Sequence, residues 1–394
     1  MSKLDELIAE LCPDGVEFVT VEEICDITRG RVMSKNYLRE NTGVYPVYSS
    51  QTANNGVFGY INTFDYDCES VTWTTDGANA GSVFYHINEK FSITNVCGLL
   101  RVKNNELVST KFLFYVLQVY AKKYVNDGMG NPKLMSNVMA RISVPLPPLA
   151  VQQEIVRILD NFTELTAELT AELTARRKQY EYYRDLLLAM DDKSEVKWMT
   201  IGEIASYRRG SFPQPYGDSR WYGGINAIPF VQVADVAESG MRLNETTKQQ
   251  ISELAMPKSI FVPKGTVIVS LQGSIGRVAI TQYDSYVDRT LAIFEQYKID
   301  IDKRYFAYQI ERKFSMEKEL ARGSTIKTIT KEEFTKFKIP VPPIEEQERI
   351  VAILDRFDAL CNDLTSGLPA EIEARQKQYE YYRDKLLSFK EVTA

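Results

Sequence analysis

The sequence predicts a mixed α/β protein of the α+β class, in which two globular domains are separated by long antiparallel coiled-coil helices. The octapeptide KQYEYYRD occurs at residues 178–185 and again at 377–384. The segments 145–165 and 340–360 both open with a proline-rich run and continue with one shared amphipathic pattern. β-rich stretches with Gly, Asn and Asp turns precede both of these segments. Together these observations indicate a pseudo-two-fold tandem duplication of one globular-plus-helical module.

The first globular block is expected at residues 15–144. Short runs such as SVFYHI, bounded by turn residues, indicate strands. The block ends in the amphipathic segment STKFLFYVLQVYAKKYV, which predicts a helix packed on the sheet.

The first helical block is expected at residues 145–192. The proline run Pro145–Pro148 cannot be helical, so the helix begins after it. Apolar residues then recur at spacings of three and four: Ile155, Ile158, Leu159, Phe162, Leu165, Leu169 and Leu173. We predict a helix from about Val151 to Met190, roughly 60 Å long at 1.5 Å per residue. A helix of that length needs a partner helix to bury its apolar face.

The tract TAELTAELTA at residues 166–175 contains two TAEL tetrads. Four residues add about 6 Å of helix and do not form a heptad, so a tetrad shifts the phase of the apolar face. The tract is read as a spacer whose length depends on the number of tetrads. It can also be read as a plain helix-forming stretch, because Ala, Glu and Leu all favour helices.

The second globular block is expected at residues 193–339 and the second helical block at 340–394. Runs such as GRVAITQ indicate strands, and KRYFAYQIERKFSMEKEL predicts the closing amphipathic helix. In the second helical block Gly367 can end one helix and Pro369 can begin the next. An antiparallel pairing of the two helical blocks would give the molecule approximate two-fold symmetry.

Charge and composition favour a protein that binds over one that catalyses. The net charge is −6, but residues 15–145 are neutral and residues 193–339 carry +5, from 22 basic and 17 acidic residues. There is one histidine, His86, and the five cysteines show no CxxC spacing. Neither a phosphate-binding GxxxxGK[ST] loop nor an Asp/Asn-Pro-Pro-aromatic motif is present. We therefore expect a non-catalytic cytoplasmic chain with reduced thiols, no metal and no membrane association.

The proline-rich openings, the "ILD" turns at 158–160 and 353–355, the duplicated KQYEYYRD and the TAEL tetrads resemble the specificity subunits of type I restriction–modification systems. The resemblance covers the whole chain. It implies two target-recognition domains, and a helix in residues 1–14 that packs near the C-terminal helical region. It further implies that each helical block docks one modification (methyltransferase) subunit, and that restriction (translocase/nuclease) subunits join the full complex. The chain itself would bind no cofactor. S-adenosylmethionine would lie on the methyltransferase partner, and ATP and magnesium on the restriction partner.

The octapeptides are the candidate docking surface for the methyltransferase subunits, because tyrosine and arginine are enriched at interface hot spots. The same tyrosines could instead only pack the coiled coil. The candidate residues are Tyr180, Tyr182, Tyr183, Arg184, Tyr379, Tyr381, Tyr382 and Arg383.

Polar residues in glycine-containing stretches are candidates for reading double-stranded DNA, since Arg, Asn, Gln and hydroxyl side chains match base edges and phosphates. Turn formation alone also explains such stretches. In the first block the candidates are Arg29, Arg31, Ser50, Gln51, Thr52, Asn54, Asn55, Thr74, Thr75, Asn79, Asn131 and Lys133. In the second block they are Arg208, Arg209, Ser211, Gln214, Tyr216, Gln272, Ser274, Arg277, Arg322, Ser324, Thr325 and Lys327.

The expected function is a DNA specificity subunit in which each globular block reads one half of an asymmetric, bipartite target and the helices set the gap. One alternative is the specificity subunit of a related bipartite system whose partner is a fused nuclease–methyltransferase. Another is a coiled-coil scaffold without a DNA role, which the overall acidity favours. Loss of DNA affinity with rising salt would distinguish a DNA-binding chain from such a scaffold.

Overall fold

The computed structural model describes residues 3–190, 196–237, 240–320, 329–363 and 366–392, without the side chains of residues 129 and 318–320. The chain divides into two compact units. The first unit comprises Met1–Glu168 with Glu373–Ala394, and the second unit comprises Leu169–Ile372. Each unit therefore contains one globular block and part of both helical blocks.

In its described residues the first unit contains ten short strands, five short or medium α-helices and the start of one long helix. In chain order these are α1 (Lys3–Leu11), β1 (Glu17–Thr20), α2 (Val21–Ile24), β2 (Cys25–Arg29), α3 (Lys35–Glu40), β3 (Tyr45–Tyr48), β4 (Val57–Ile61), β5 (Tyr66–Asp67), β6 (Ser70–Thr74), β7 (Val83–His86), β8 (Lys90–Ile93), β9 (Cys97–Val102), α4 (Thr110–Tyr120), α5 (Ser136–Ala140), β10 (Ser143–Leu146) and α6 (Leu149–Ala189).

The second unit repeats the order of the strands with its own strand lengths, and among its described residues no α-helix corresponds to α3. Its elements, followed by the helix that returns to the first unit, are β11 (Lys197–Thr200), α7 (Ile201–Ile204), β12 (Ala205–Arg209), β13 (Ile228–Val231), β14 (Gln249–Ile251), β15 (Ile260–Val262), β16 (Val267–Ser270), β17 (Val278–Ile280), β18 (Ser285–Val287), β19 (Leu291–Tyr297), α8 (Lys303–Leu320), α9 (Lys331–Thr335), β20 (Lys338–Val341), α10 (Ile344–Asn362) and α11 (Leu368–Leu386).

The sheet topology is the same in both units, which confirms the duplication. The first unit has the ribbon β1-β10 and two four-stranded sheets of order β2-β9-β6-β7 and β4-β3-β8-β5. The second unit has the ribbon β11-β20 and sheets of order β12-β19-β16-β17 and β14-β13-β18-β15. In each unit one pair is parallel, β3 with β8 and β13 with β18, and the other pairs are antiparallel.

Apolar strand and helix faces meet in the core of each unit. In the first unit the fully buried Trp73 of β6 lies against Gly98 of β9, where a Cβ atom would come within 2.1 Å of the indole ring. Only glycine fits this approach of a large ring to a strand. The Trp73 Nε1 donates to the carbonyl of Leu134 at 3.0 Å, which satisfies the buried indole.

The long helices pair antiparallel within each unit, as the sequence predicts. In the second unit Tyr183 of α6 stacks on Phe357 of α10 at 5.9 Å, and Arg177 donates to the carbonyl of Cys361 at 3.4 Å. In the first unit Phe162 of α6 stacks on Tyr382 of α11 at 5.6 Å. Helix α6 begins at Leu149, directly after the prolines, two residues before the predicted start.

Each helical block is attached to its globular block by the same two polar contacts. The buried Gln152 accepts from the Ser109 N–H, and the buried Gln347 accepts from the Asp302 N–H at 3.0 Å. Eight residues farther on, just over two helical turns, the aspartate of each "ILD" segment contacts the closing amphipathic helix. Its contacts are Lys111 Nζ–Asp160 at 2.8 Å, Tyr115 OH–Asp160 at 2.6 Å, Arg304 Nη2–Asp355 at 2.7 Å and Tyr308 OH–Asp355 at 3.1 Å.

The N-terminal helix α1 packs on the helical part of the first unit. Leu4 and Leu387 belong to one buried cluster, and Val16 forms a parallel bridge with Glu391. The Lys3 Nζ lies 3.0 Å from the carboxylate of Glu154, which has only 4% of its side chain exposed. Arg157 contacts the same carboxylate at 2.6 Å.

Replacing Glu154 by Gln is expected to make the stability of the protein less sensitive to acid. Hydrogen bonds from Arg157 and Lys3 lower the pKa of Glu154 from 4.5 to about 2. A lowered folded-state pKa stabilises the protein above the unfolded pKa, and this stabilisation is lost as the pH falls from about 4.5 to about 2. Thermal unfolding should therefore show a lower melting temperature for Glu154→Gln at pH 7 and a smaller difference from the unsubstituted protein near pH 3. A difference that stays constant over this range would contradict the prediction.

Candidate nucleic-acid interface

Four loops meet at one edge of the first globular block. We call this the first loop edge and define it as residues 29–31, 75–79, 94–96 and 131–134. Backbone hydrogen bonds hold the loops together, from Thr75 N to Val96 O at 3.1 Å and from Leu134 N to Thr75 O at 2.9 Å. Two stretches that are 50 residues apart in sequence, both candidates for DNA contact, are thus brought side by side.

Exposed polar side chains line the first loop edge. Arg29 is exposed, and its Nη2 donates to Thr75 Oγ1 at 3.3 Å and to the carbonyl of Asn95. Asn131 Nδ2 donates to Asp76 Oδ1 at 2.9 Å, and Lys133 is exposed beside it. This arrangement offers a guanidinium, an ammonium and amide groups to a polyanion.

The polar turn before β4 adjoins the first loop edge through Thr94, whose Oγ1 donates to Ser49 Oγ at 2.9 Å. Asn54 and Asn55 are exposed and adopt left-handed φ values of 51° and 52°. Asparagine tolerates this conformation better than most residues, so the turn chemistry is satisfied while both amides face solvent. Gln51 donates to the carbonyl of Val57, which fixes the turn. Thr52 is exposed, and Ser50 and Asn79 are half-buried.

Three candidates of the first block are less suited to direct contact than the sequence suggested. Thr74 and Thr75 are buried, with 1% and 0% exposed, because β6 continues inward to Thr74 instead of ending in an open turn. Their side chains do not reach the surface, and both leave the candidate set. Arg31 is exposed, but it pairs with Asp65 at 3.0 Å and with the Tyr37 hydroxyl at 3.0 Å, and these contacts raise its pKa.

The second block builds the same edge from different side chains. We define the second loop edge as residues 209–211, 271–274, 288–290 and 329. Leu271 N donates to Thr290 O at 2.9 Å, and Ile329 N donates to Leu271 O at 3.2 Å. These bonds match those of Thr75 and Leu134 in the first unit, so Arg289 takes the place of Asn95.

Two arginines, Arg209 and Arg289, belong to the second loop edge, and Tyr216 packs beside it. The exposed Arg289 lies 5.2 Å from the ring of Tyr216, whose hydroxyl donates to the buried Asp288. Burial raises the pKa of Tyr216, and the Asp288 carboxylate raises it further. The half-buried Arg209 donates to the carbonyl of Ile329 at 3.2 Å.

The remaining candidates of the second block have mixed positions. Gln214 and Ser274 are exposed, whereas Gln272 and Ser211 are half-buried. Arg208 is exposed and pairs with Glu295 at 2.7 Å. Arg277 donates inward, to the carbonyl of Val236 at 3.1 Å, which removes it from the interface. Arg322, Ser324, Thr325 and Lys327 lie outside the described residues.

Two residues of the loop edges, Asn95 and Arg289, were missed by sequence reasoning and join the candidate interface. Each follows a buried strand, β8 or β18, and precedes the next strand by one residue. The duplication contains a signal for them, because ITNVCGLL and VDRTLAIF occupy equivalent positions in the two blocks. Extending the repeat alignment into the globular blocks would have found both.

The octapeptides present a matched surface in the two units. Tyr180 and Tyr379 turn inward, and burial raises the pKa of both hydroxyls. Tyr182 and Tyr381 have 65% and 63% of their surface exposed. Tyr183 stacks on Phe357, and its counterpart Tyr382 stacks on Phe162. Arg184 lies over the ring of Tyr180, and Arg383 lies over the ring of Tyr379. Some tyrosines of the octapeptide therefore pack the helices, whereas one in each copy is exposed to solvent; docking of a partner by the exposed tyrosines stays a prediction.

The described ranges contain no cluster of three or more His, Cys, Asp or Glu side chains that could hold a metal ion. His86 is buried, with its Nε2 2.8 Å from Thr72 Oγ1 and its Nδ1 3.3 Å from Glu89, and burial lowers its pKa. In the part of the chain that the structure describes, no helix is long and apolar enough to span a membrane.

Comparison with known proteins gives one consistent match. Residues 13–176 and 193–374 each match the family described as the type I restriction modification DNA specificity domain. A Mycoplasma pneumoniae protein described as a type I specificity subunit is 33% identical over 372 residues, which are 94% of this chain and 96% of the relative. The specificity subunit of the Escherichia coli type I restriction enzymes EcoR124I and EcoR124II is 38% identical over 293 residues, 71% of this chain and 70% of the relative.

Among solved structures, the type I restriction–modification S subunit of M. genitalium has the same fold. It superposes with a TM-score of 0.57 at 15% sequence identity, covering 95% of this chain and 96% of that chain.

Proposed function

The chain belongs to the type I restriction–modification DNA specificity family, and from this premise we propose that its two loop edges read the two halves of an asymmetric, bipartite DNA target. The proposal rests on one observation. Both globular blocks form a loop edge with the same backbone hydrogen bonds, but the two edges carry different side chains. Asn95 and Asp76 in the first block stand where Arg289 and Gln272 stand in the second. An identical scaffold with different donor and acceptor groups is suited to reading different bases.

The domain roles follow from this proposal. Residues 15–144 and 193–339 are the target-recognition domains, and residues 145–192 and 340–394 are the helical regions that set the half-site gap. Residues 1–14 form the helical segment that packs against the C-terminal helical region in the first unit. The exposed tyrosines of each octapeptide dock one modification subunit, and restriction subunits complete the complex. S-adenosylmethionine belongs to the modification partner, ATP and magnesium belong to the restriction partner, and the chain itself works in the cytoplasm without a cofactor or catalysis.

Adenine-methylation mapping tests the proposal directly. Cells that carry this chain with its modification subunit are compared with cells that lack the chain. A new motif of two unlike half-sites with a fixed gap is expected. Absence of any new motif, with the modification subunit shown to be active on another specificity chain, would favour a scaffold without a DNA role. A motif produced only with a fused nuclease–methyltransferase partner would assign the chain to that related system.

Replacing Arg289 by Ala is expected to weaken one half-site only. A bidentate Arg contact to guanine contributes roughly 1–3 kcal/mol, so cognate affinity should fall about 5- to 150-fold. Fluorescence anisotropy of the assembled methyltransferase on labelled duplexes measures this change, with each half-site randomised in turn. Arg349→Ala is the control, because Arg349 is an exposed arginine of α10 that pairs with Glu346 at 2.6 Å. Equal losses for both variants, or loss at both half-sites, would contradict the assignment of Arg289.

A further inference from the structure

A groove of about 1020 Å³ lies beside strand β7 in the first unit. Its walls are residues 83–89, with Lys111, Phe114, Tyr115 and Gln118 of α4 and Asp160, Thr163, Glu164 and Ala167 of α6. β7 is the outer strand of its sheet. Alternate backbone N–H and C=O groups of an outer strand point away from the sheet and can pair with another chain.

In the second unit the chain itself occupies the equivalent position. The hydrogen bonds Thr74 N–Ser82 O and Ser270 N–Arg277 O, both 2.9 Å, are equivalent in the two units. In this alignment Tyr85 of β7 is the counterpart of Ile280 of β17. Ile280 N donates to the carbonyl of Met241 at 2.9 Å. The side chain of Met241 is buried, with 5% exposed. Met241 lies in a turn, with a φ of 44°, so a turn carbonyl pairs with the outer edge of β17 at this position.

A smaller cavity lies beside this turn in the second unit. Its volume is about 390 Å³, and Gly240, Glu311 and Asp358 are part of its lining. In the duplication Glu311 is the counterpart of Gln118, and Asp358 is the counterpart of Thr163; Gln118 and Thr163 line the groove of the first unit. The connection from β3 to β4 has 8 residues, whereas that from β13 to β14 has 17. Among the described residues no backbone acceptor outside the sheet reaches the Tyr85 N–H.

We propose that the groove beside β7 binds one extended segment of the modification subunit, which adds to β7 as a further strand. This inference rests on the proposed function, because it concerns the partner that the octapeptides dock. The chemistry of the segment follows from Met241 and Arg242, an apolar side chain followed by a basic one. The groove of the first unit offers Glu164 to a basic side chain, whereas its Asp160 is paired with Lys111 at 2.8 Å and its Glu89 accepts a hydrogen bond from the Tyr48 hydroxyl at 2.7 Å. Strand addition supplies main-chain hydrogen bonds, and the groove supplies side-chain selectivity.

The groove is continuous with the docking surface of the same unit. Gln118 lines the groove, and its Oε1 accepts a hydrogen bond from the hydroxyl of Tyr379 at 3.0 Å. Thr163 of the groove wall directly follows Phe162, on which Tyr382 stacks. A subunit seated on this octapeptide therefore lies next to the open edge of β7. Because the equivalent edge in the second unit is filled, only one of two modification subunits uses such a strand.

Titration of the chain with the purified modification subunit, followed by calorimetry and native mass spectrometry, tests the inference. Two binding events of unequal affinity are expected for the unsubstituted chain. Ala167→Trp, which fills the groove from an exposed helix position, should weaken one event at least tenfold and leave the other unchanged. Glu164→Lys should weaken the same event by repelling the basic side chain. The controls are Ala171→Trp and Glu168→Lys, exposed positions of α6 that do not line the groove.

A photo-crosslinking residue at Ile87, which is 49% exposed on the groove rim, provides a second measurement. In the assembled complex we expect crosslinks to one segment of the modification subunit that contains an apolar–basic pair. Crosslinks to DNA, to a second copy of this chain or to a helix of the partner would overturn the inference, as would two equal binding events that Ala167→Trp leaves unchanged. Failure of the unsubstituted chain to bind the modification subunit at all would instead refute the proposed function.

Discussion

Deleting one TAEL tetrad, residues 170–173, is expected to shorten the gap between the two half-sites by one or two base pairs. Four residues of helix span about 6 Å, compared with 3.4 Å per base pair. The deletion also turns the following helix by about 40° beyond one full turn, because 3.6 residues make a turn. The tract tolerates the change, since seven of its ten side chains are exposed and only Thr166, Leu169 and Leu173 are half-buried.

Methylation mapping of the deletion variant gives the new gap directly. Methylation at the original spacing should fall at least 100-fold, because a displaced half-site loses several base contacts of roughly 1–3 kcal/mol each. Insertion of one more tetrad should lengthen the gap by the same one or two base pairs. Thr170→Glu with Ala171→Lys is the control, since it keeps the length of the helix and changes only exposed positions. An unchanged gap in the deletion variant would refute the spacer and leave the plain helix-forming reading of the tract.

Replacing Tyr182 and Tyr381 together by Ala is expected to abolish assembly with both modification subunits at micromolar concentration. Each is the most exposed tyrosine of its octapeptide, at 65% and 63%, and each packs edge-on against the next tyrosine. Truncation of an interface hot spot costs roughly 2 kcal/mol or more, which lowers affinity at least about 30-fold at each site.

Analytical ultracentrifugation of the mixed subunits measures the stoichiometry. Single substitutions should leave complexes with one modification subunit, because the two octapeptides belong to different copies of the module. Tyr60→Ala is the matched control, an exposed tyrosine of β4 with 48% of its surface free. If the double variant still bound two modification subunits with unchanged affinity, the octapeptides would serve only to pack the helices.

The helical half of the molecule could be predicted from the sequence because its signals are local. Prolines exclude helix up to residue 148, and α6 begins at the next residue. The break around Gly367 is also present, with α10 ending at Asn362 and α11 beginning at Leu368. These features depend on backbone restriction and helical periodicity, which a single sequence displays.

The interface could be predicted only in part, because the sequence does not show where a strand stops. Thr74 and Thr75 precede an Asp-Gly turn, yet pairing with β9 carries Thr74 into the core. Asn95 lies in a stretch that reads as continuous strand, although the chain turns there. The filling of the β17 edge by Met241 depends on contact between residues 39 apart, which no local pattern encodes. Non-local pairing decides which polar groups are left facing solvent.

The ribbons β1-β10 and β11-β20 have a consequence for how such proteins can diversify. Glu17 pairs with Leu146, and Lys197 pairs with Val341, so the chain leaves each globular block beside the point where it came in. Paired strands lie about 5 Å apart, whatever is folded between them. A recombination event that exchanges everything between two such strands can therefore graft a foreign block without disturbing the helices. Half of the target specificity becomes a cassette that can be inherited separately from the other half.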